Sequence, residues 1–386
     1  MRASSGNGWL VKIAQVVSSY YPWIGGVETH VRCLAQGCAE AGDNVTVLTH
    51  LGDGSPANEW IGQVRVLRFP LTVSSHNYPF SVSMFRYLRQ HAAEFDLLHA
   101  HNYHTVVGHA AVGGSCPFVF TPHYNATGHT PFRTLMHRMY RSVGARQFAG
   151  ADAVICVSDA ERLLVMRDFP GAATKVVTIP NGIEPRTCDM GEGSVAAYGT
   201  VLGKPMVLTV GRLERYKNVN LVIDAFRALQ SEAVLIVAGD GPERARLERH
   251  ARATEPGWPI CFTGRIPDSV LNRFFAQATV LTSASAHEAF GLTLAEGLAS
   301  GTRVVASAIP AHADLARRAG VGARFALVDP RDTKKFAEQL AASLRAGRVL
   351  DGDLKLPSWA DVVANTRELY SRVRARNHLG CQGSAA

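Results

Sequence analysis

The chain has 386 residues, 47% hydrophobic and 19% charged, and its 40 Lys and Arg against 32 Asp and Glu give a formal net charge of +8. This composition excludes a disordered chain, and the length suits two domains of roughly 150 residues each. No apolar run reaches membrane-spanning length, and neither half carries the dense basic stripe of a nucleic-acid binder.

In chain order, the opening MRASSGNGWLVKIAQVV lacks a charged head before an apolar stretch and runs straight into strand-like residues. No signal peptide is read there, and a cytoplasmic protein is expected. Short β-branched runs then alternate with helical stretches. Strands are predicted at Lys12–Ser18, Asn44–Thr49, Val64–Phe69, Leu97–Ala100, Phe118–Thr121, Ala153–Val157 and Val176–Ile179. Helices are predicted at Glu28–Ala41, Ser81–Ala93, Thr134–Ala149 and Asp159–Arg167. Such alternation implies parallel sheets with helices on both faces.

Residues 185–204, rich in Gly and small side chains, read as a linker between a domain at 1–184 and a second at 205–358. After it, strands are predicted at Met206–Val210, Ala233–Ala238, Ile260–Thr263, Thr279–Ser283 and Arg303–Ser307. The helices between them are Val219–Leu229, Glu243–Ala253, Ser269–Ala276 and Thr293–Ser300, with a final helical region from Thr333 on. A ligand is expected in the cleft between the two α/β units, at the carboxyl ends of the strands.

Residues 1–184 hold 14 basic against 12 acidic side chains, and residues 185–386 hold 26 against 20. The excess in the second half suits an anionic small ligand such as a nucleotide diphosphate. The seven cysteines, at 33, 38, 116, 156, 188, 261 and 381, form no CxxC pair and read as reduced, mostly buried thiols.

The most informative stretch is His287–Gly301, HEAFGLTLAEGLASG. Gly291 permits a sharp turn before a helix starting near Thr293, and the free N–H groups there suit phosphate or sugar hydroxyls. Glu296, one turn into the helix, suits a ribose diol, and Glu288 the hydroxyls of a second sugar. In Val207–Lys217, VLTVGRLERYK, Gly211 ends a buried strand and Arg212 and Lys217 follow. A guanidinium fork with a mobile ammonium suits a pyrophosphate leaving group. AGDGP (238–242) and FTGRI (262–266) end two further strands, and Gly264 allows close approach of a planar base. Near the front, Gly25 and Gly26 in YYPWIGGVE open the first helix; the spacing is not GxGxxG, and the turn suits a phosphate or an acceptor.

Eleven of the 15 histidines precede residue 184. His99, His101 and His104 (LLHAHNYH) and His123 and His129 (TPHYNATGH) follow strands, with no carboxylate pattern beside them, so no metal is expected and neutral cleft-lining groups are. His123 is the candidate to touch a transferred sugar or its acceptor. His101, Asn102 and Tyr124 are the other acceptor-side candidates.

With the E-x7-E, the GR…K, the AGDGP and FTG turns, IPNGIE (179–184) and GGVE in this order, the chain resembles the GT4 family of retaining glycosyltransferases. That resemblance implies the GT-B fold, two Rossmann-like doubly wound parallel-sheet domains facing a nucleotide-sugar cleft. It implies that Arg212 and Lys217 hold the donor diphosphate and that Glu296 binds ribose, with Gly26 and Gly211 as further donor-binding candidates. Glu288 would bind the donor sugar, supported by the backbone amides of Phe290, Gly291 and Leu292. Gly264, Arg265 and Ile266 would meet the base, and His123 matches a histidine near the sugar. Arg212, Lys217, Glu288 and His123 would carry catalysis, with no cofactor and no required metal. Ala289 stands where Gly is commoner, and Thr293 stands where Pro is usual and is expected to cap the helix. A last helix at about 359–376 would cross back onto the first domain.

For the acceptor, twelve acids and neutral histidines in the first half favour a small polycation, an aminocyclitol of the kind used in aminoglycoside antibiotic biosynthesis, with a UDP-sugar as donor. The alternative is a lipid-linked or cell-envelope acceptor, with Pro131–Phe148 (PFRTLMHRMYRSVGARQF) as an interfacial helix. Nucleotide-sugar 2-epimerases share the fold and would yield no glycoside.

Overall fold

The computed structural model describes residues 11–383, apart from 24, 53, 75–78, 113, 115, 126–130, 185–203, 230–231, 254–258 and 350–353; only the backbone is described at 106–107, 131–139 and 378–383. Nearly all of the expected linker, with His129 and Cys188, lies outside the described residues. The chain divides into two compact units, Met1–Gly182 with Trp359–Ala386, and Ile183–Ser358.

The first unit is built on an eight-stranded sheet of β1 (Lys12–Val16), β2 (Asn44–His50), β3 (Asn58–Ile61), β4 (Val64–Phe69), β5 (Leu97–His101), β6 (Phe118–Thr121), β7 (Ala153–Cys156) and β8 (Val176–Thr178). The order is β3-β4-β2-β1-β5-β6-β7-β8. β1 pairs in parallel with both β2 and β5, so the winding reverses beside β1, the place where such sheets bind ligands. Central strands such as FVFT and AVIC are buried throughout because helices cover both faces.

Around the sheet lie α1 (Gly26–Glu40), α2 (Val82–His91), α3 (Pro131–Gly150) and α4 (Asp159–Asp168). Ser81 and Ser158 cap α2 and α4, each accepting a backbone N–H of the first turn. Phe118, Phe120, Tyr103, Tyr124, Phe148 and Phe169 form the aromatic heart of the core. The described part of α3 buries Gln147 and Phe148 and leaves Val143 exposed. Cys38, Cys116 and Cys156 are buried free thiols, and burial pushes those of Cys38 and Cys116 up to about 12.

The second unit has a six-stranded sheet of β9 (Met206–Val210), β10 (Val234–Ala238), β11 (Ile260–Gly264), β12 (Val280–Ser283), β13 (Arg303–Ser307) and β14 (Phe325–Val328). Its order is β11-β10-β9-β12-β13-β14, parallel throughout, with the reversal beside β9. The helices are α5 (Val219–Arg227), α6 (Arg244–Arg252), α7 (Asp268–Gln277), α8 (Leu292–Ala299), α9 (Pro310–Ala319) and α10 (Thr333–Ala346). The last helix, α11 (Trp359–Gly383), belongs to the first unit and packs on α1.

Four elements differ from the sequence reading. β3 is an unexpected antiparallel edge strand: NEWI is half exposed, so it lacks a buried run, and the two residues Gly62–Gln63 turn it into β4. α9 and β14 were also not foreseen, although Pro310 at the first turn and Gly320 (φ +65°) just past the end are helix start and stop signals. α8 begins at Leu292 with Gly291 as its N-cap, so Thr293 is inside the helix and does not cap it.

Candidate functional site

In the second unit the loops after β9 and β12, the strands flanking the sheet reversal, come together. Gly211 (φ +147°) turns the chain out of β9, and its N–H donates to Ala238 O at the end of β10. Gly239 (φ +137°) packs its α-carbon against the Gly211 carbonyl, so a side chain at 239 would have to move backbone, while at Gly211 it is the positive φ that favours glycine. The chain then makes a 3₁₀ turn, Arg215–Lys217, tied to the β12 loop by Ala286 N–H donating to Tyr216 O (2.9 Å) and Asn218 Nδ2 donating to Ala284 O (3.1 Å).

These ties bring Lys217 Nζ to 2.5 Å from Glu288 Oε1, both side chains about one-fifth exposed. Burial pulls the ammonium down, but the Glu288 carboxylate outweighs it and holds Lys217 above its ordinary value. Burial likewise pushes Glu288 up, and the Lys217 ammonium reverses this, leaving it below the usual carboxylate range. The pair is therefore ionised, an ammonium and a carboxylate held at the start of α8. Arg212 is exposed, and its charge acts on Lys217, lowering it.

Gly291 (φ +94°) aims the first turn of α8 with no side-chain cap, so the N–H groups of its opening residues, Leu292 among them, have no intrahelical partner. Phe290 is buried beneath, and Glu296 is the fifth residue of the helix, half-buried. At Gly264 (φ +68°), the expected seat of a planar base, the nearest group is the Arg244 guanidinium, 2.6 Å from where a β-carbon would stand. Arg265 there is exposed and Ile266 half-buried.

Sequence reasoning missed His312 on α9. It is fully buried, its Nδ1 bonds the Ser307 carbonyl at 2.9 Å, and its Nε2 has no partner. That nitrogen lies beside Gly291, 3.8 Å from where a β-carbon would stand. Burial lowers the His312 pKa despite Glu288 nearby, so the ring is neutral.

In the first unit the structure gathers the histidines. His101 ends β5, and His123 follows β6 in the left-handed region (φ +48°), as does Asn102 (φ +71°) after β5. His30 of α1, unflagged in the sequence, joins them, its ring centroid 5.1 Å from that of His123 and 5.4 Å from that of His101. Gly25 is the N-cap of α1 and Gly26 its first residue; Glu28 in that turn accepts the Ser19 hydroxyl.

Two acceptor-side expectations change here. The Tyr124 side chain does not line an open wall: its ring is buried against Tyr103 and Phe169, and its hydroxyl donates to Asp168 at 2.8 Å. Aromatic packing in the core takes the ring that the sequence placed beside a ligand. His101 is fully buried, not lining an open wall, because α1 and β1 cover it. Glu161 was also missed. It is buried and accepts the N–H groups of Tyr124 (2.5 Å) and Val157 (2.7 Å), anchoring the loop that carries His123.

Two family models match the chain, Glycosyltransferase Family 4 over residues 24–187 and Glycosyl transferases group 1 over residues 194–349. The O-antigen chain mannosyltransferase C of Escherichia coli is 25% identical over 307 residues, covering 74% of this chain and 76% of its own. The GDP-mannose-dependent α-(1-6)-phosphatidylinositol dimannoside mannosyltransferase of Mycobacterium tuberculosis is 36% identical over 170 residues, 42% of each chain. Among solved structures, Anabaena HepE in complex with UDP and glucose superposes with a TM-score of 0.75 at 19% identity, covering 94% of this chain and 100% of that one.

Proposed function

Because the chain is a glycosyltransferase of the GT4 type with the GT-B fold, we propose that it transfers a hexosyl unit from a nucleoside diphosphate sugar with retention, and that the donor binds at the Lys217–Glu288 pair. The contact between these two side chains carries the reading. It supplies a fixed ammonium and a fixed carboxylate beside the uncapped start of a helix.

In this reading Lys217, with Arg212, stabilises the negative charge that grows on the departing diphosphate. The N–H groups that open α8 add positive potential to the same leaving group. Glu288 accepts donor-sugar hydroxyls through the oxygen not engaged by Lys217, and Glu296 accepts the ribose diol. The leaving diphosphate takes the acceptor proton on the face it departs from, so no enzyme nucleophile is invoked.

For the acceptor, the named relatives act on O-antigen chains and on a phosphatidylinositol mannoside, which favours a lipid-linked or cell-envelope hydroxyl over the soluble aminocyclitol. No helix among the described residues is long and apolar enough to cross a membrane, so such an acceptor would be met at a surface.

Thermal shift with UDP, GDP and ADP tests the donor site, since a nucleotide that binds only the folded state raises Tm. We expect UDP or GDP to raise it in the wild type and much less in Lys217→Ala; equal shifts in both would overturn the assignment. Turnover with polyprenyl-linked sugars and not with aminocyclitols is expected, and the reverse would restore the soluble acceptor.

A further inference from the structure

The direction of the His123 side chain is set by two hydrogen bonds on the peptide groups that flank it. His123 lies in the left-handed region (φ +48°), which residues with a β-carbon rarely adopt, so its surroundings must impose the conformation. The peptide group before it is pinned at Pro122 O, which accepts the Tyr103 N–H at 2.7 Å. The peptide group after it is pinned at the Tyr124 N–H, which donates to Glu161 Oε1 at 2.5 Å. A residue has two soft backbone angles, and holding both neighbouring peptide planes restrains the pair. The Cα–Cβ bond is aimed with them, and the imidazole packs edge-on against His30, 5.1 Å between ring centroids.

The bonds that Glu161 makes are not the ones its place in the sequence calls for. Ser158 caps α4 by accepting the Glu161 N–H at 3.0 Å, the first half of a capping box. In that motif the glutamate returns its carboxyl to the N–H of the capping residue. Here Oε2 accepts the N–H of Val157, the residue before the cap, at 2.7 Å, and Oε1 goes to Tyr124, 37 positions earlier. One carboxyl thus ties the loop after β6 to the loop after β7, the ends of two paired strands. Capping does not require it: Ser81 caps α2 in the same way with an apolar residue, Met84, at the corresponding place. Glu161 is 1% exposed, and burying a carboxyl is unfavourable unless its oxygens are bonded.

We propose that Glu161 is a positioning residue for the transfer reaction, which aims the His123 imidazole through the Tyr124 peptide group. This rests on the reading that His123 touches the transferred sugar or its acceptor. Glu161→Ala frees both N–H groups. Glu161→Gln keeps one acceptor oxygen and turns an amide N–H₂ against the other N–H, so it loosens the same loop. Displacement of a reacting-side group by about 1 Å costs up to about 10²-fold in rate.

The test is a double-mutant cycle between Glu161→Ala and His123→Ala, with Glu161→Gln in place of the alanine variant if that chain does not fold. Turnover is followed as nucleoside diphosphate released from UDP-glucose or GDP-mannose, with a polyprenyl-linked sugar as acceptor. We expect the Glu161 substitution to lower kcat about 10- to 100-fold in the wild-type background and by less than about 2-fold in the His123→Ala background. A residue acting independently of His123 would show the same loss in both. Equal losses in the two backgrounds, or no loss in either, would overturn the proposal. The nucleotide-induced Tm shift, which reports Lys217 and its surroundings, should stay that of the wild type; its loss together with the rate would mark Glu161 as a structural residue only. His123→Ala at the wild-type rate would instead overturn the reading of His123, and the proposal with it.

Discussion

Tyr370, on the last helix, shares a 2.6 Å hydrogen bond with His99 of the fifth strand, 271 residues earlier. The same hydroxyl accepts from Gln15 of the first strand, so one oxygen joins two strands and the helix that closes the unit. Arg367, one turn earlier on that helix, adds an ion pair to Asp43 at 2.8 Å.

Tyr370→Phe keeps the ring and removes the hydroxyl, leaving Gln15 and His99 each short of one partner inside the core. Unpaired buried groups cost about 1–3 kcal/mol each, so urea unfolding should show a loss of that order with an unchanged m value. A midpoint equal to that of the wild type would refute the bridging role.

Lys217→Ala removes the cation expected to face the leaving group. The rate should fall at least ~10²-fold, the scale of one charge stabiliser in the transition state, while circular dichroism stays that of the folded chain. An unchanged kcat would remove Lys217 from the mechanism.

Gly239→Ala places a methyl group against the Gly211 carbonyl at a backbone angle that favours glycine. Strain of this kind costs about 1–3 kcal/mol, and relieving it must displace the turn that precedes Lys217. A lowered Tm together with a diminished nucleotide-induced shift is expected; a variant with both at wild-type values would show that this approach does not matter.

Burial pushes the Glu161 carboxyl from 4.5 up to about 8, against the pull of the Tyr124 and Val157 N–H groups. The native state then holds this proton more tightly than the unfolded chain does, so the contribution is complete below pH 4.5 and is lost as pH rises through about 8. The Tm advantage of the wild type over Glu161→Gln should shrink across that window. A difference independent of pH would mean that Glu161 titrates alike in both states.

Much of the fold was legible in apolar periodicity. Met206–Val210 and Arg303–Ser307 are observed with their expected ends, because a strand buried on both faces leaves a continuous apolar run between turn residues. β3 left no such trace, since an edge strand with one partner and half-exposed side chains needs no apolar run. The site was legible as residue types. Lys217 and Glu288 are a cation after one strand and an acid after another, at the ends where parallel sheets gather their loops. Their meeting, 71 positions apart, was not written in either motif.

Local composition, then, was sufficient for two parallel-sheet units, the glycine turns and the charged groups of the candidate site. Which groups face one another was settled by the path of the folded chain. Tyr124 and His123 are adjacent in sequence, yet one ring enters the aromatic core and the other joins His30 and His101. Periodicity reports how far each residue is withdrawn from water, a property set largely by its own segment. Hydrogen-bond and ion-pair partners depend on where distant segments cross, and here the crossings of α1, α11 and the strand ends made the choice.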